Sequence, residues 1–200
     1  MNIIAAFIFF AIVGYLNAFL TLNLYDPLRT NPPLPDRGHD YFPVISLTIP
    51  NVMLIGYFVY FIIRNLAVRN LQNISKFLVC ISLVFTIRLF TYTLTTYPPP
   101  LPHCESRQVG EPIVWNVLGN MFKDNDNTCL DMMFSGHASY FTLILLFIIK
   151  DSTSDIEQAI NVAYYVVGLF GIIASHMHYS SDVVVGVAVT VLMAVVCGVV

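Results

Sequence analysis

The chain has 200 residues, of which 57% are hydrophobic and only 10% are charged, and its formal net charge is -3. So few charged residues cannot cover the surface of a water-soluble domain of this length, so the apolar excess must face lipid. The small negative charge argues against nucleic acid as a partner. Because apolar runs recur along the whole chain, a single-pass protein is excluded as well.

Six apolar stretches are long enough to cross a bilayer, which takes roughly 20 mostly apolar residues per helix. Their length and continuity favour helices over a barrel. We therefore predict an all-α membrane protein: a six-transmembrane-helix bundle, with residues 1–200 as a single domain and no separate soluble domain. The first stretch lacks a basic segment and is too long for a secretory signal, so we expect it to be retained. The predicted spans are 3–24, 43–63, 76–96, 134–150, 158–176 and 183–200.

The loops between the spans fall into two sets. Loops 64–75 and 151–157 lie on one side with both termini, and the first of them carries Arg64 and Arg69 without any acid. The positive-inside rule therefore favours cytosolic termini. The sequon at Asn73 would then be cytosolic, and we expect it to stay unmodified. The loops on the exoplasmic or lumenal side are 25–42, 97–133 and 177–182.

The exoplasmic loops carry two proline-rich segments, Pro32–Pro35 and Pro98–Pro102, which are rigid exits from the first and third spans. Cys104 and Cys129 flank the long loop and either form a disulfide in an oxidising compartment or remain free thiols. No CxxC pair occurs, which argues against a structural zinc site. The polar loop residues that we expect to be solvated are Asp26, Asp36, Arg37, His39, Asp40 and His103.

The first polar motif, Cys129–His137, places a carboxylate, a hydroxyl and an imidazole directly before the fourth span. Ionisable groups at the mouth of a membrane helix are costly to desolvate, so they are candidates for function. Ser135 is the predicted N-cap of this helix, and Gly136 would let a ligand approach the backbone. The N–H groups and the positive end of the helix attract an anion such as phosphate.

The second polar motif, His176–Asp182, lies on the same side of the membrane between the fifth and sixth spans. If a helix begins near here, His178 and Asp182 share one helix face. The carboxylate then fixes the tautomer of the imidazole and makes its other nitrogen more basic. With His137 opposite, one histidine can attack phosphorus while the other protonates the departing oxygen. The alternative is that both histidines satisfy buried polar groups between helices.

Arg88 lies within the third span, where a charge must face the bundle or reach an interface. It either clamps a phosphate oxygen or pairs with an acid such as Asp131. The catalytic candidates are thus His137, His178 and Asp182. The candidates for substrate binding are Asp131, Ser135, Gly136, Arg88 and His176.

These motifs resemble those of the sphingomyelin synthase family, a branch of the phosphatidic acid phosphatase type 2 superfamily. The blocks that carry the resemblance occur in the family's order: Pro32–Asp36, Arg88–Pro102, Cys129–His137 and His176–Asp182. The resemblance implies a lipid headgroup transferase without a metal or another cofactor, with its active site at the exoplasmic or lumenal ends of the third, fourth and sixth spans.

By the same resemblance, His178 is the nucleophile supported by Asp182, and His137 acts as acid and then as base, through a phosphohistidine-type intermediate. The donor would be phosphatidylcholine or another phospholipid, and the acceptor ceramide or diacylglycerol. The implied location is the Golgi or plasma membrane. Leu130 stands where the family commonly has glycine, and Ala138 and Ser180 where it has threonine, which leaves the choice among choline, ethanolamine and inositol phosphate open.

The sequence disfavours three other activities. A lipid phosphate phosphatase is disfavoured because no Arg-Pro pair occurs and Ile172 occupies the position of its second-motif arginine. A transporter with a His/Asp proton relay is disfavoured because the first, second, fifth and sixth spans are almost purely apolar at their centres. A metal-dependent lipid enzyme is disfavoured because no His-x-x-His pair accompanies the two motifs.

Overall fold

The computed structural model describes residues 2–23, 32–95, 97–100 and 133–200. In this part of the chain the regular secondary structure is entirely helical, which confirms the all-α part of the prediction. Each of the six predicted spans coincides with one helix, and a short additional helix follows the first proline-rich segment. The helices are α1 (Ile3–Asn23), α2 (Arg37–Tyr41), α3 (Thr48–Ala67), α4 (Leu71–Leu94), α5 (Gly136–Asp151), α6 (Asp155–Ala174) and α7 (Ser180–Val196).

Four of these helices, α1, α3, α4 and α6, are long and apolar enough to cross a membrane. Helix α7 is apolar but has 17 residues, and α5 has 16. At 1.5 Å per residue these two helices measure about 24–26 Å, less than the roughly 30 Å of a hydrocarbon core. Length and composition therefore support four spans in the described residues, and the six-span count stays a prediction.

Helix α5 occupies the centre of the bundle, where it contacts α3, α4, α6 and α7, while α1 packs on α4. Its side chains Phe141, Ile144 and Phe147 are almost completely buried. Lipid tails are as apolar as these side chains, so close packing rather than removal from water holds membrane helices together. The ring centroids of Phe77 and Phe61 lie 5.9 and 5.8 Å from that of Phe147.

The predicted loop 64–75 is wrong in its bounds, because only residues 68–70 separate α3 from α4. Arg64 lies in the last turn of α3, where its Nε donates to Glu157 Oε1 of α6 at 2.8 Å. The side chain of Asn70 caps α4 by accepting a hydrogen bond from the N–H of Asn73 at 3.2 Å. Polar residues therefore extend these two helices, since partners across the bundle and a cap satisfy them.

Candidate active site

The N-terminus of α5 is held against the first turn of α7. Ser135 is the N-cap, as predicted, and its hydroxyl accepts a hydrogen bond from the N–H of Ala138 at 3.2 Å. The N–H of Ser135 donates to the carbonyl of Asp182 at 3.0 Å. A Cβ on Gly186 would come within 2.8 Å of the Ser135 carbonyl oxygen, so the glycine is what lets the two helices approach this closely.

His178 and Asp182 meet, although not on a shared helix face. Helix α7 begins at Ser180 with Tyr179 as its N-cap, so His178 precedes the helix and the predicted shared face is wrong. Asp182 turns back towards the preceding residues because its Oδ2 accepts the N–H of Tyr179 at 3.3 Å. The same oxygen lies 3.8 Å from His178 Nδ1, an atom without a hydrogen-bond partner among the described residues. Both side chains are buried.

His137 faces His178 across the start of α5. Their ring centroids are 6.4 Å apart and their planes are inclined at 57°. Nε2 of His137 lies 2.5 Å from Oδ1 of Asn51, in the first turn of α3. Two imidazoles from separate helix starts thus share one site, which fits one histidine as nucleophile and the other as proton carrier.

Arg88 lies beside the first turn of α5. The side chain is buried, and its Nε donates to the carbonyl of Phe134 at 2.8 Å. Its guanidinium carbon lies 3.7 Å from the position a Cβ would take on Gly136. The space beside Gly136 is bounded by this guanidinium and by the ring of Phe85, 3.1 Å from the same position. A positive charge therefore stands next to the N–H groups that begin α5. Asp131, the alternative partner of Arg88, lies outside the described residues.

Asp36, which we expected to be solvated, is only partly exposed and its side chain is mostly covered, so that prediction is wrong. Its side chain is 8% exposed, and it N-caps α2 by accepting the N–H of Gly38 at 2.8 Å. It also accepts the N–H and the hydroxyl of Ser180, at 2.5 and 2.8 Å. Burial alone would raise the pKa of Asp36, but these hydrogen bonds and the nearby His39 hold that pKa below its usual value. The first proline-rich segment is thereby fixed to the start of α7.

His39 is the second residue wrongly expected to be solvated, with a side chain only 10% exposed. Its Nε2 donates to the carbonyl of His178 at 3.0 Å. Its ring stacks on that of His176 with centroids 4.0 Å apart. Burial and then the charge of His39 lower the pKa of His176. Arg37 and Asp40 are exposed as expected, while Asp26 and His103, like the Cys104–Cys129 pair, lie outside the described residues.

Tyr179 connects both proline-rich segments to the backbone next to His178. Its hydroxyl accepts the N–H of Leu34 at 3.0 Å and donates to the carbonyl of Pro98 at 2.8 Å. A cavity of about 290 Å³ opens beside this junction. Its lining residues are Leu34, Pro35, Asp36, Arg37, Tyr97, Tyr179 and Ser181.

Sequence reasoning missed three residues around the candidate histidines: Asp36, which bonds to Ser180, and His39 and Asn51, which contact His178 and His137. One local signal was available for the first of them: an aspartate two residues before a glycine and after a proline run is a typical helix N-cap. Asn51 carried no such signal, because it is a lone amide inside an apolar run. Among the described residues, no group of three or more His, Cys, Asp or Glu side chains is arranged to hold a metal ion.

Four helices long and apolar enough to cross a membrane and two facing imidazoles are the features that a comparison with known proteins has to match. Residues 128–198 match the family model described as PAP2 superfamily C-terminal.

Over most of its length the chain is also similar to sphingomyelin synthase relatives. It is 28% identical to sphingomyelin synthase-related protein 1 of Mus musculus over 207 residues, covering 95% of this chain and 42% of that protein. It is 29% identical to phosphatidylcholine:ceramide cholinephosphotransferase 1 of Homo sapiens over 185 residues, 82% of this chain and 43% of that protein. The chain thus spans less than half the length of these relatives. The matches confirm the resemblance predicted from the four motif blocks.

Proposed function

We propose that this chain is a sphingomyelin synthase-like phosphotransferase, which moves phosphocholine or a related phospho-headgroup from a glycerophospholipid to ceramide and releases diacylglycerol. The observation that carries the proposal is the facing pair of His137 and His178, whose ring centroids are 6.4 Å apart. Oδ2 of Asp182 lies 3.8 Å from Nδ1 of His178. The similarity to a protein named phosphatidylcholine:ceramide cholinephosphotransferase supports the same donor and acceptor.

In the first half-reaction His178 is the nucleophile. Its Nδ1 is the nitrogen nearest Asp182, so Nε2 is the atom that attacks phosphorus. The new P–N bond forms while the P–O bond to diacylglycerol breaks, and His137 gives a proton to the departing oxygen. Asp182 stabilises the positive charge that develops on the His178 ring. Catalytic hydrogen bonds are often long without substrate, so we expect the 3.8 Å separation to shorten when lipid binds.

In the second half-reaction the ceramide hydroxyl gives its proton to His137 and attacks phosphorus. A P–O bond forms, the P–N bond breaks, and His178 is restored. One phosphodiester replaces another, so no nucleotide is needed. Transfer rather than hydrolysis requires that water be kept out of the site, and the burial of His178 and Asp182 serves that purpose.

The phosphate would be held at the start of α5. The N–H groups around Ser135 and Gly136 and the positive end of the helix attract an anion. The Arg88 guanidinium, beside the same turn, adds a full positive charge. Asp131 and His176 remain proposed contributors to substrate binding.

For the membrane arrangement, we propose a single six-span domain with cytosolic termini in the Golgi or plasma membrane. The site then lies at the exoplasmic or lumenal ends of α4, α5 and α7. The shorter α5 fits this arrangement because its neighbours, rather than lipid, surround it. An unmodified Asn73 in a glycosylation assay is the expected result, and a glycan at that residue would invert the orientation.

The proposed activity is tested with membranes that carry the full chain, incubated with fluorescent ceramide and phosphatidylcholine. Labelled sphingomyelin from the wild type, and none from His178→Ala at equal protein level, is the expected result. Activity should persist in excess chelator. Failure with every phospholipid donor, together with phosphate release from phosphatidic acid, would instead identify a lipid phosphate phosphatase and refute the transferase.

A further inference from the structure

We propose that Asn51 is the positioning residue of His137: its amide oxygen fixes the tautomer and ring orientation of that histidine, so that Nδ1 is the nitrogen that exchanges the proton with substrate. This inference rests on the proposed function, and it concerns a residue outside all four motif blocks. Asn51 Oδ1 lies 2.5 Å from His137 Nε2, although the two residues are 86 positions apart in sequence.

The chemistry of the amide defines what it does to the ring. An amide oxygen can only accept a hydrogen bond, so Nε2 of His137 must carry the hydrogen. The tautomer is then settled by this contact, as in other sites where the bond made by one ring nitrogen determines the state of the other. With Nε2 engaged by Asn51, the proton that passes to and from substrate oxygens must travel through Nδ1.

The two histidines lie beside oxygen atoms of different charge, which suits their different tasks. His178 stands beside the carboxylate of Asp182, and His137 beside the neutral amide of Asn51. A nucleophilic imidazole becomes positive as its bond to phosphorus forms, so an adjacent negative charge assists it. A proton carrier must release and recover its proton in every cycle, and a neutral acceptor orients the ring without holding the proton by charge.

The backbone around Asn51 is anchored to α6, so the amide is presented by a fixed element. Pro50 is buried in the first turn of α3, and its Cβ lies 3.9 Å from the Cβ position of Gly171. The carbonyl of Met53 accepts the hydroxyl of Tyr164 at 2.8 Å. A side chain placed on rigid helices holds a catalytic ring more accurately than one on a loop.

Two substitutions of Asn51 separate positioning from mere support of the fold. Asn51→Leu removes the acceptor at similar volume, and we expect kcat to fall about 10–100-fold with little change in KM. Asn51→Asp keeps the acceptor but adds a negative charge that favours the protonated ring. This variant should stay active near its own optimum, with the alkaline limb of the pH–rate profile moved upward by about 1–3 pH units.

The matched control is Asn65→Leu, a buried asparagine at the far end of the same helix, which bonds to Asn73 and to a helix carbonyl. It should lower thermal stability while leaving kcat and the pH profile of the folded protein in place. The inference is overturned if Asn51→Leu keeps wild-type kcat. It is equally overturned if both Asn51 variants behave like the control.

A spectroscopic measurement separates failure of this inference from failure of the proposed function. The full chain, labelled with ¹⁵N-histidine in nanodiscs, is compared with His137→Gln to assign the His137 signal. At a pH at which the ring is neutral, we expect the Nε2–H tautomer in the wild type and a mixture of tautomers in Asn51→Leu, whether or not the lipid assay shows transfer. A wild-type His137 with its hydrogen on Nδ1 would refute the positioning role.

Discussion

Asp36→Asn is the substitution whose effect can be worked out most fully from the structure. The Asp36 carboxylate accepts three hydrogen bonds, from the N–H of Gly38 and from the N–H and the hydroxyl of Ser180. In asparagine one of the two oxygens becomes an NH₂ group, which cannot accept. Whichever way the amide is turned, at least one backbone N–H of Gly38 or Ser180 then faces a donor and loses its partner.

The expected cost is the loss of one charge-assisted bond together with one unsatisfied N–H, about 2–4 kcal/mol in the free energy of unfolding. For a chain of this size that corresponds to a fall in Tm of roughly 5–15 °C. The assay is thermal unfolding in nanodiscs, with Asp40→Asn as the control, since Asp40 lies in the same short helix and is exposed. The control should unfold at the wild-type temperature.

The same substitution makes a prediction about pH. The pKa of Asp36 in the folded protein is below its usual value of 3.8, so the stabilisation is fully present above about pH 4 and is lost as the pH falls through the folded value. The difference in Tm between wild type and Asp36→Asn should therefore shrink at acid pH. Equal Tm values for the Asp36 and Asp40 variants, or a difference that does not change between pH 7 and strongly acid pH, would refute this reasoning.

Two further substitutions probe the contacts that surround the histidine pair. Gly186→Ala places a Cβ 2.8 Å from the Ser135 carbonyl oxygen and should separate α7 from α5, lowering the rate of headgroup transfer. The control is Gly171→Ala, whose Cβ would meet, among the described residues, only Pro50 at 3.9 Å and should leave the rate unchanged. Equal rates for the two variants would contradict the argument. Burial, reinforced by His39, lowers the pKa of His176 from its usual 6.5. As the pH falls, His176 is therefore protonated more readily in the unfolded chain than in the folded protein. Thermal stability should consequently decline as the pH falls below about 6.5, and a decline of the same size in His176→Gln would show that another group is responsible.

The helices and one half of the site could be predicted because their signals are local. Each apolar run is continuous, whereas a helix of a soluble protein has apolar residues on one face only. Ser135 lies directly before such a run, and serine is a typical N-cap residue. His137 and His178 were placed on one side of the membrane by counting spans. The structure brings their ring centroids to within 6.4 Å, and the side of the membrane on which they lie stays a prediction.

The remainder depends on contacts between residues far apart in sequence. The Asp36 carboxylate is bonded to Ser180, 144 residues away, and nothing near Asp36 in sequence predicts that partner. Asn51 lies in an apolar run, and this pattern predicts a helix but not the contact between Asn51 and His137. The prediction that His178 and Asp182 share a helix face was wrong because α7 begins after His178. The Asp182 carboxylate accepts the N–H of Tyr179, which makes Tyr179 the N-cap and leaves His178 outside the helix.

The central claim is that His178 carries the phospho-headgroup between donor and acceptor. It is tested most directly by incubating the protein in nanodiscs with phosphatidylcholine labelled with ³²P in the headgroup, without acceptor, and measuring protein-bound label after rapid quenching. A bond between phosphorus and histidine nitrogen is labile to acid and stable to alkali. We predict alkali-stable label on the peptide containing His178, its release as sphingomyelin when ceramide is added, and no label in His178→Ala. Sphingomyelin formation without any protein-bound label, or equal label in His178→Ala, would contradict the claim.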